Sequence, residues 1–147
     1  MNLEMILEMW KEDSVINEHL LDQSSIDTAK LHSKYLELIS NAKLRLKKAE
    51  LDYEKLLKNK WLYYNGKLSK QEIDDFGWEY DPFNGLKVLK GDMDYYYNAD
   101  TDIQNKQAKI HYIKTIIDTL KEIIDNIKWR HQTIKNIITW RQFTSGA

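Results

Sequence analysis

Apolar positions recur every three or four residues over most of this 147-residue chain, which is the period of an α-helix. Near the start, Leu3, Ile6, Leu7 and Trp10 form one apolar face and predict a short first helix. Ser24-Ser25-Ile26-Asp27 resembles a capping box and opens a second helix, which Gly66 stops. The stripe of that helix is Leu31, Tyr35, Leu38, Ala42, Leu46, Ala49, Tyr53, Leu56, Lys60 and Tyr63. Its steps alternate between three and four, with one extra step of four from Ala42 to Leu46 that shifts the seam. Residues 67–91 break the pattern. Ser69-Lys70-Gln71-Glu72 is a second capping box, opening a short helix that Gly77 ends, and Asp81-Pro82 and Asn84-Gly85 are turn signals.

The last helix, about residues 103–143, has the clearest pattern. Ile110, Ile113, Ile117, Leu120, Ile124, Ile127, His131, Ile134, Ile138 and Arg141 keep strict three-four spacing, and Ile116, Ile123 and Ile137 widen the stripe. Isoleucine at both seam positions favours more than two strands. Each such side chain gains about 1.5–3 kcal/mol on burial, and a soluble monomer avoids leaving so large an apolar face in water. The second helix has a thinner stripe that includes two alanines, so it is expected to cover this face only in part. Self-association is the expectation, with Ile110, Ile113, Ile117, Leu120, Ile124, Ile127, Ile134 and Ile138 as its contacts. The competing reading is a monomeric helical hairpin. The predicted fold is all-α: a short N-terminal helix, two long helices joined by an irregular loop, and a multi-stranded bundle built on the C-terminal helix. It is read as a single domain over 1–147, with N-terminal helices to 66, a loop at 67–91 and an oligomerisation helix at 92–147.

Composition narrows the function. There is no Cys, one Pro and five Gly, and the net charge is −1. A disulfide framework and a thiolate metal site are excluded. The acidic start MNLEMILEMWKED is unlike a signal peptide, and no apolar run reaches the ~20 residues of a membrane span, so a cytoplasmic protein is expected. The charge is segregated: residues 1–42 and 68–105 are acidic, residues 43–67 and 106–147 basic. Two basic zones in a nearly neutral chain point to an anionic partner.

Catalytic and cofactor signatures are absent. The four His show no metal-ligand spacing. Gly66-Lys67-Leu68-Ser69 has the tail of a phosphate-binding loop, but Trp61 stands where that loop needs glycine. Asp92, Asp94, Asp100 and Asp102 lack the central Gly and terminal Glu of a calcium loop and are read as caps of the last helix. No enzyme activity, cofactor or metal is expected. The stretch 76–83 is aromatic and acidic: either a loop whose rings pack on the helices, or a docking surface for a basic partner.

The binding candidate is the run 55–67, where Lys55, Lys58, Lys60 and Lys67 mingle with Trp61, Tyr63 and Tyr64. Cations neutralise phosphates, and aromatic faces stack on unpaired bases without reading their sequence. Arg45, Lys48 and Lys55 share a helix face and extend the basic surface. The bland reading is a solvated basic helix whose Trp61 and Tyr63 belong to the core.

Met1-Asn2-Leu3-Glu4 through Met9-Trp10-Lys11-Glu12-Asp13, the Leu31-to-Tyr35 run, Leu62-Tyr63-Tyr64-Asn65-Gly66-Lys67, and Ile134-Lys135-Asn136-Ile137-Ile138 with Trp140, Arg141 and Phe143 resemble the UvsY recombination mediators of T4-like phages, most of all their cyanophage versions. The resemblance spans nearly the whole chain, with a variable middle loop. It implies an oligomeric single-stranded-DNA-binding protein that helps load a phage RecA-like recombinase onto strands covered by single-strand-binding protein, in the cytoplasm of an infected bacterium. It further implies a ring of about six or seven subunits, closed by the C-terminal helix. The basic residues before the Tyr-Tyr-x-Gly segment, here Lys58 and Lys60, are the strand contacts the resemblance implies; the cation and aromatic pattern itself adds Trp61, Tyr64, Lys67, Arg45, Lys48 and Lys55 as candidates. Lysine at position 60, where relatives often have arginine, neutralises charge but lacks a guanidinium fork. The alternative is a coiled-coil adaptor for protein partners with no nucleic-acid role.

Overall fold

In a computed structural model, the described residues are 1–146; the last residue of the expected domain, 147, lies outside them. They form five α-helices and one 3₁₀ turn, with no strand among the described residues. The helices are α1 (Leu3–Asp13), α2 (Leu21–Tyr64), α3 (Lys70–Phe76), α4 (Met93–Ala99) and α5 (Thr101–Thr144). This is the all-α class that the periodicity predicts. Contacts divide the chain into two compact units, Met1–Arg45 with Ile113–Ala147, and Leu46–Tyr112. Both long helices contribute to each unit.

In the first unit, Asn2 caps α1 by accepting the Met5 N–H at 2.8 Å. The start of α2 differs from expectation. Leu20 already accepts a helical bond from the Ser24 N–H at 2.9 Å, so the helix begins at Leu21. Ser24 is buried inside the first turn, and its Oγ accepts the Asn17 N–H at 3.2 Å, tying down the 14–20 connection instead of capping. Tyr35 is buried, meets Trp10 edge to face at 5.5 Å, and donates to Asp13 Oδ2 at 2.9 Å. Burial and the Asp13 carboxylate both push the Tyr35 hydroxyl well above its usual pKa. Arg130 of α5 reaches the Ser14 and Val15 carbonyls at 3.4 Å each, meeting the carbonyl end of α1 with a cation. Its Nε has no hydrogen-bond partner among the described residues.

The isoleucine stripe is where the structure departs most from the sequence reading. Ile113, Ile116, Ile117, Leu120, Ile123, Ile124, Ile127 and Ile134 are all buried within one subunit. The expectation that the second helix leaves much of this face uncovered is therefore corrected. The physical reason is a third apolar surface. Ile6 of α1 and Ile39 of α2, which lies outside the predicted stripe, join Tyr35 and Ala42 in the buried set of the same unit. Of the proposed oligomerisation contacts, only Ile110, half-buried, and Ile138, exposed, remain accessible.

In the second unit, α3 follows its capping signals. Ser69 Oγ accepts the Glu72 N–H at 3.2 Å, and Gly77 ends the helix in the left-handed conformation at φ 74°. Gly66, at φ 67°, stops α2, and the Lys67 N–H closes on the Leu62 carbonyl at 2.8 Å. Asp81 and Asn84 make the turn predicted between α3 and α4, with Asp81 Oδ1 accepting the Gly85 N–H at 2.8 Å. Of the four aspartates read as caps of the last helix, Asp100 is its cap: Oδ1 accepts the Ile103 N–H at 3.0 Å.

Candidate nucleic-acid interface

At the end of α2, position 60 falls on the helix row of Ala49, Tyr53, Leu56 and Tyr63, which faces inward. Lys60 is accordingly 4% exposed. A buried ammonium needs partners, and it has two: Asp100 Oδ2 and Asp102 Oδ2, each at 3.0 Å. It also lies 3.9 Å from the Trp78 ring centroid, a cation–π contact. Tyr64 donates to Asp100 Oδ2 at 2.5 Å, and Trp78 Nε1 donates to Asp102 Oδ2 at 2.9 Å. Asp100 thus neutralises Lys60, accepts from Tyr64 and caps α5 at once. One lysine, two aspartates, one tyrosine and one tryptophan tie the end of α2, the start of α5 and the segment after α3 together.

The network sets its own electrostatics. Burial works against the ionised form of Asp100, but the Tyr64 hydroxyl, the Ile103 N–H and the Lys60 ammonium outweigh it and hold the carboxyl below its ordinary value. Burial first, and then the hydrogen bond to Asp100, raise the Tyr64 hydroxyl far above its usual value. A depressed carboxylate contributes stability above its unfolded pKa, and that contribution is lost as pH falls through the lower folded value. The expected result is acid unfolding that begins below about pH 4, with Asp100→Asn flattening this dependence. Urea melts followed by circular dichroism from pH 7 to 3 would measure it.

The sequence-predicted site residues separate into two groups. Lys48, Lys55, Lys58 and Lys67 are exposed, and Trp61 is 41% exposed. Lys67 Nζ sits 4.4 Å from the Trp61 ring centroid, joining cation and aromatic on the outer surface. Lys60 and Tyr64 point the other way. The charge of Lys60 is already neutralised, and the Tyr64 ring lies against Tyr63, Phe83, Tyr96 and Tyr97. In this subunit both side chains are engaged in contacts within the fold. Arg45 is exposed in the first unit, where Nη1 reaches the Met1 carbonyl at 3.4 Å. Asp100, Asp102 and Trp78 were missing from the sequence-derived site. Only the capping role of the aspartates was signalled locally; their pairing spans some forty residues of chain.

Among the described residues no group of three or more His, Asp or Glu is arranged to hold a metal ion, and no helix is long and apolar enough to cross a membrane. The site is thus an outward row of lysines with an exposed tryptophan, set on a buried ion-paired anchor. The family model described as recombination, repair and ssDNA binding protein UvsY matches residues 9–147. This chain belongs to the UvsY family. It is 27% identical over 146 residues to the recombination protein uvsY of Enterobacteria phage T4, with 99% of each chain covered. A crystal structure of the bacteriophage T4 recombination mediator protein UvsY superposes with TM-score 0.82 at 26% identity, covering 99% of this chain and 98% of that one. A second crystal lattice of the same T4 protein gives 0.78 at 25% identity, covering 94% and 97%. The sequence resemblance to UvsY mediators is thereby shown, and the all-helical fold with it.

Proposed function

We propose that this UvsY-family chain binds single-stranded DNA through the outward face of α2 and helps load a RecA-like recombinase onto strands covered by single-strand-binding protein. The observation that carries the reading is the exposed Lys67–Trp61 pair at the end of α2, with Lys58, Lys55 and Lys48 exposed along the same helix. The lysines offer charge to phosphates, while the exposed part of Trp61 offers a ring to an unpaired base. Binding of this kind is tolerant of sequence, as a mediator requires.

The same reading includes self-association, but through a different face of α5 than the isoleucine stripe. Trp129, Trp140 and Phe143 are 68%, 65% and 74% exposed. Trp129 and Trp140 are eleven residues apart, three full helical turns, so they stand on one side of α5, away from the buried isoleucines. Trp140 and Phe143 stack at 5.8 Å. These exposed rings are apolar surface of the kind that marks an interface. A closed ring of about six or seven copies repeats the lysine face around a common axis. A strand engaging several copies gains avidity from modest individual patches. The setting is the interior of an infected bacterium.

Loading is tested on a strand already coated with single-strand-binding protein. Adding this chain is expected to shorten the lag before the recombinase begins strand-dependent ATP hydrolysis. A lag unchanged at every ratio of chain to strand would contradict the mediator role.

A further inference from the structure

Besides the outward face of α2, the second unit carries a cleft next to the Lys60 anchor, with which it shares Trp78 and Asp102. Its volume is about 420 Å³. Leu56 of α2 contributes to its lining, Phe76 and Trp78 supply aromatic surface, and Asn105, Lys106 and Lys109 of α5 supply polar groups. We infer that this cleft is a second subsite for the same strand, taking one unpaired nucleobase against Phe76 and the flanking phosphates on Lys106 and Lys109. The inference rests on the strand-binding reading above and extends it to the other long helix.

Three features support it. The Phe76 and Trp78 rings lie nearly parallel, 12° apart with centroids at 4.3 Å, and Phe76 is still 45% exposed. One aromatic face is thus stacked while surface remains free for another flat ring, the arrangement that binds bases irrespective of sequence. Second, the platform is fixed in advance. Trp78 is held by its Nε1 bond to Asp102 and by the Lys60 ammonium near its ring, so little order is lost when a base adds to the stack. Third, the charge is of the right sign. Lys106 and Lys109 are three residues apart on one side of α5, and neither is ion-paired among the described residues. The one acid in the lining, Asp102, already bonds Lys60 and Trp78. Asn105 adds a donor and an acceptor for a base edge. In this account the anchor at Lys60 has a functional consequence, because it positions Trp78 and through it the stacking surface.

The test measures anisotropy of labelled oligothymidylate and of a labelled abasic strand of equal length, each at several salt concentrations. The unmodified chain is expected to prefer oligothymidylate. Phe76→Ala is expected to cut that preference about tenfold while leaving affinity for the abasic strand unchanged, and Phe76→Tyr to restore it. Lys106→Ala with Lys109→Ala is expected to weaken binding to both strands and to reduce the salt slope by about 1.4. An unchanged preference in Phe76→Ala, or an unchanged slope in the lysine variant, overturns the cleft while leaving the α2 face standing. Equal loss on both strands in Phe76→Ala, with a lowered melting temperature, marks a purely structural ring and overturns it as well. If the unmodified chain binds neither strand at low salt, the strand-binding reading itself fails, and the cleft with it.

Discussion

Lys60→Met is expected to destabilise the protein by about 3–5 kcal/mol, more than any change among the outward lysines. The substitution keeps the side chain's approximate length but removes the ammonium that faces Asp100 and Asp102 at 3.0 Å. Asp100 is buried, so its carboxylate would lose its counter-ion where water cannot replace it. Lys60→Met combined with Asp100→Asn is expected to recover most of the loss. Asparagine still caps α5 through its side-chain oxygen, its amide N–H faces the Tyr64 hydroxyl and can donate to it, and no uncompensated buried charge is left at position 100. By contrast, Lys58→Ala removes an exposed cation and should change stability by no more than about 0.5 kcal/mol. Urea unfolding of the three variants at neutral pH decides the matter. Equal, small effects at positions 58 and 60 would show that Lys60 is not a structural anchor.

The contrast between these neighbouring lysines shows what was legible in the sequence. The three-four spacing had already put Lys60 in the same row as Leu56 and Tyr63, which is the inner row. Composition and family resemblance argued for the opposite, a strand contact, because both read charge without direction. The identity of the partner was out of reach: Asp100 lies forty residues away, and nothing local pairs it with Lys60. Local signals fared best where every donor and acceptor was close in sequence. Ser69, Glu72 and Gly77 delimit α3 as read. Ser24 misled because a hydroxyl that looks like a cap serves a loop when the preceding carbonyl, from Leu20, is already within the helix. The isoleucine stripe was found correctly and its use was misjudged. Periodicity reveals that a face is buried, but not whether the cover comes from α1 and α2 or from another copy.

Trp140→Ser with Phe143→Ser is expected to dissociate the assembly without unfolding the subunit. Both rings are exposed within the subunit, so their loss should scarcely alter its melting, whereas an interface built on aromatic anchors would lose its strongest contacts. Sedimentation of the unmodified chain at micromolar concentration should show an assembly, and the variant a 17.6 kDa species. Strand affinity should fall with it by about a hundredfold or more, since each subunit then acts alone. The matched variant Ile117→Ala should do the reverse, lowering stability by about 2–5 kcal/mol through a core cavity while the surface rings remain in place. A 17.6 kDa species from the unmodified chain, or a variant that stays assembled, would contradict the placement of the interface.

The proposed role of the outward lysines on α2 is to hold a DNA strand by its phosphates. Its most direct measurement is the affinity for labelled oligothymidylate as a function of salt, for the unmodified chain and for the variant with Lys48, Lys55 and Lys58 all changed to alanine. Binding at low salt is expected to weaken linearly on a log–log plot, with the slope reduced by about 2 in the triple variant and the melting temperature unchanged. Identical slopes for the two proteins, or no binding by the unmodified chain at low salt, would contradict it.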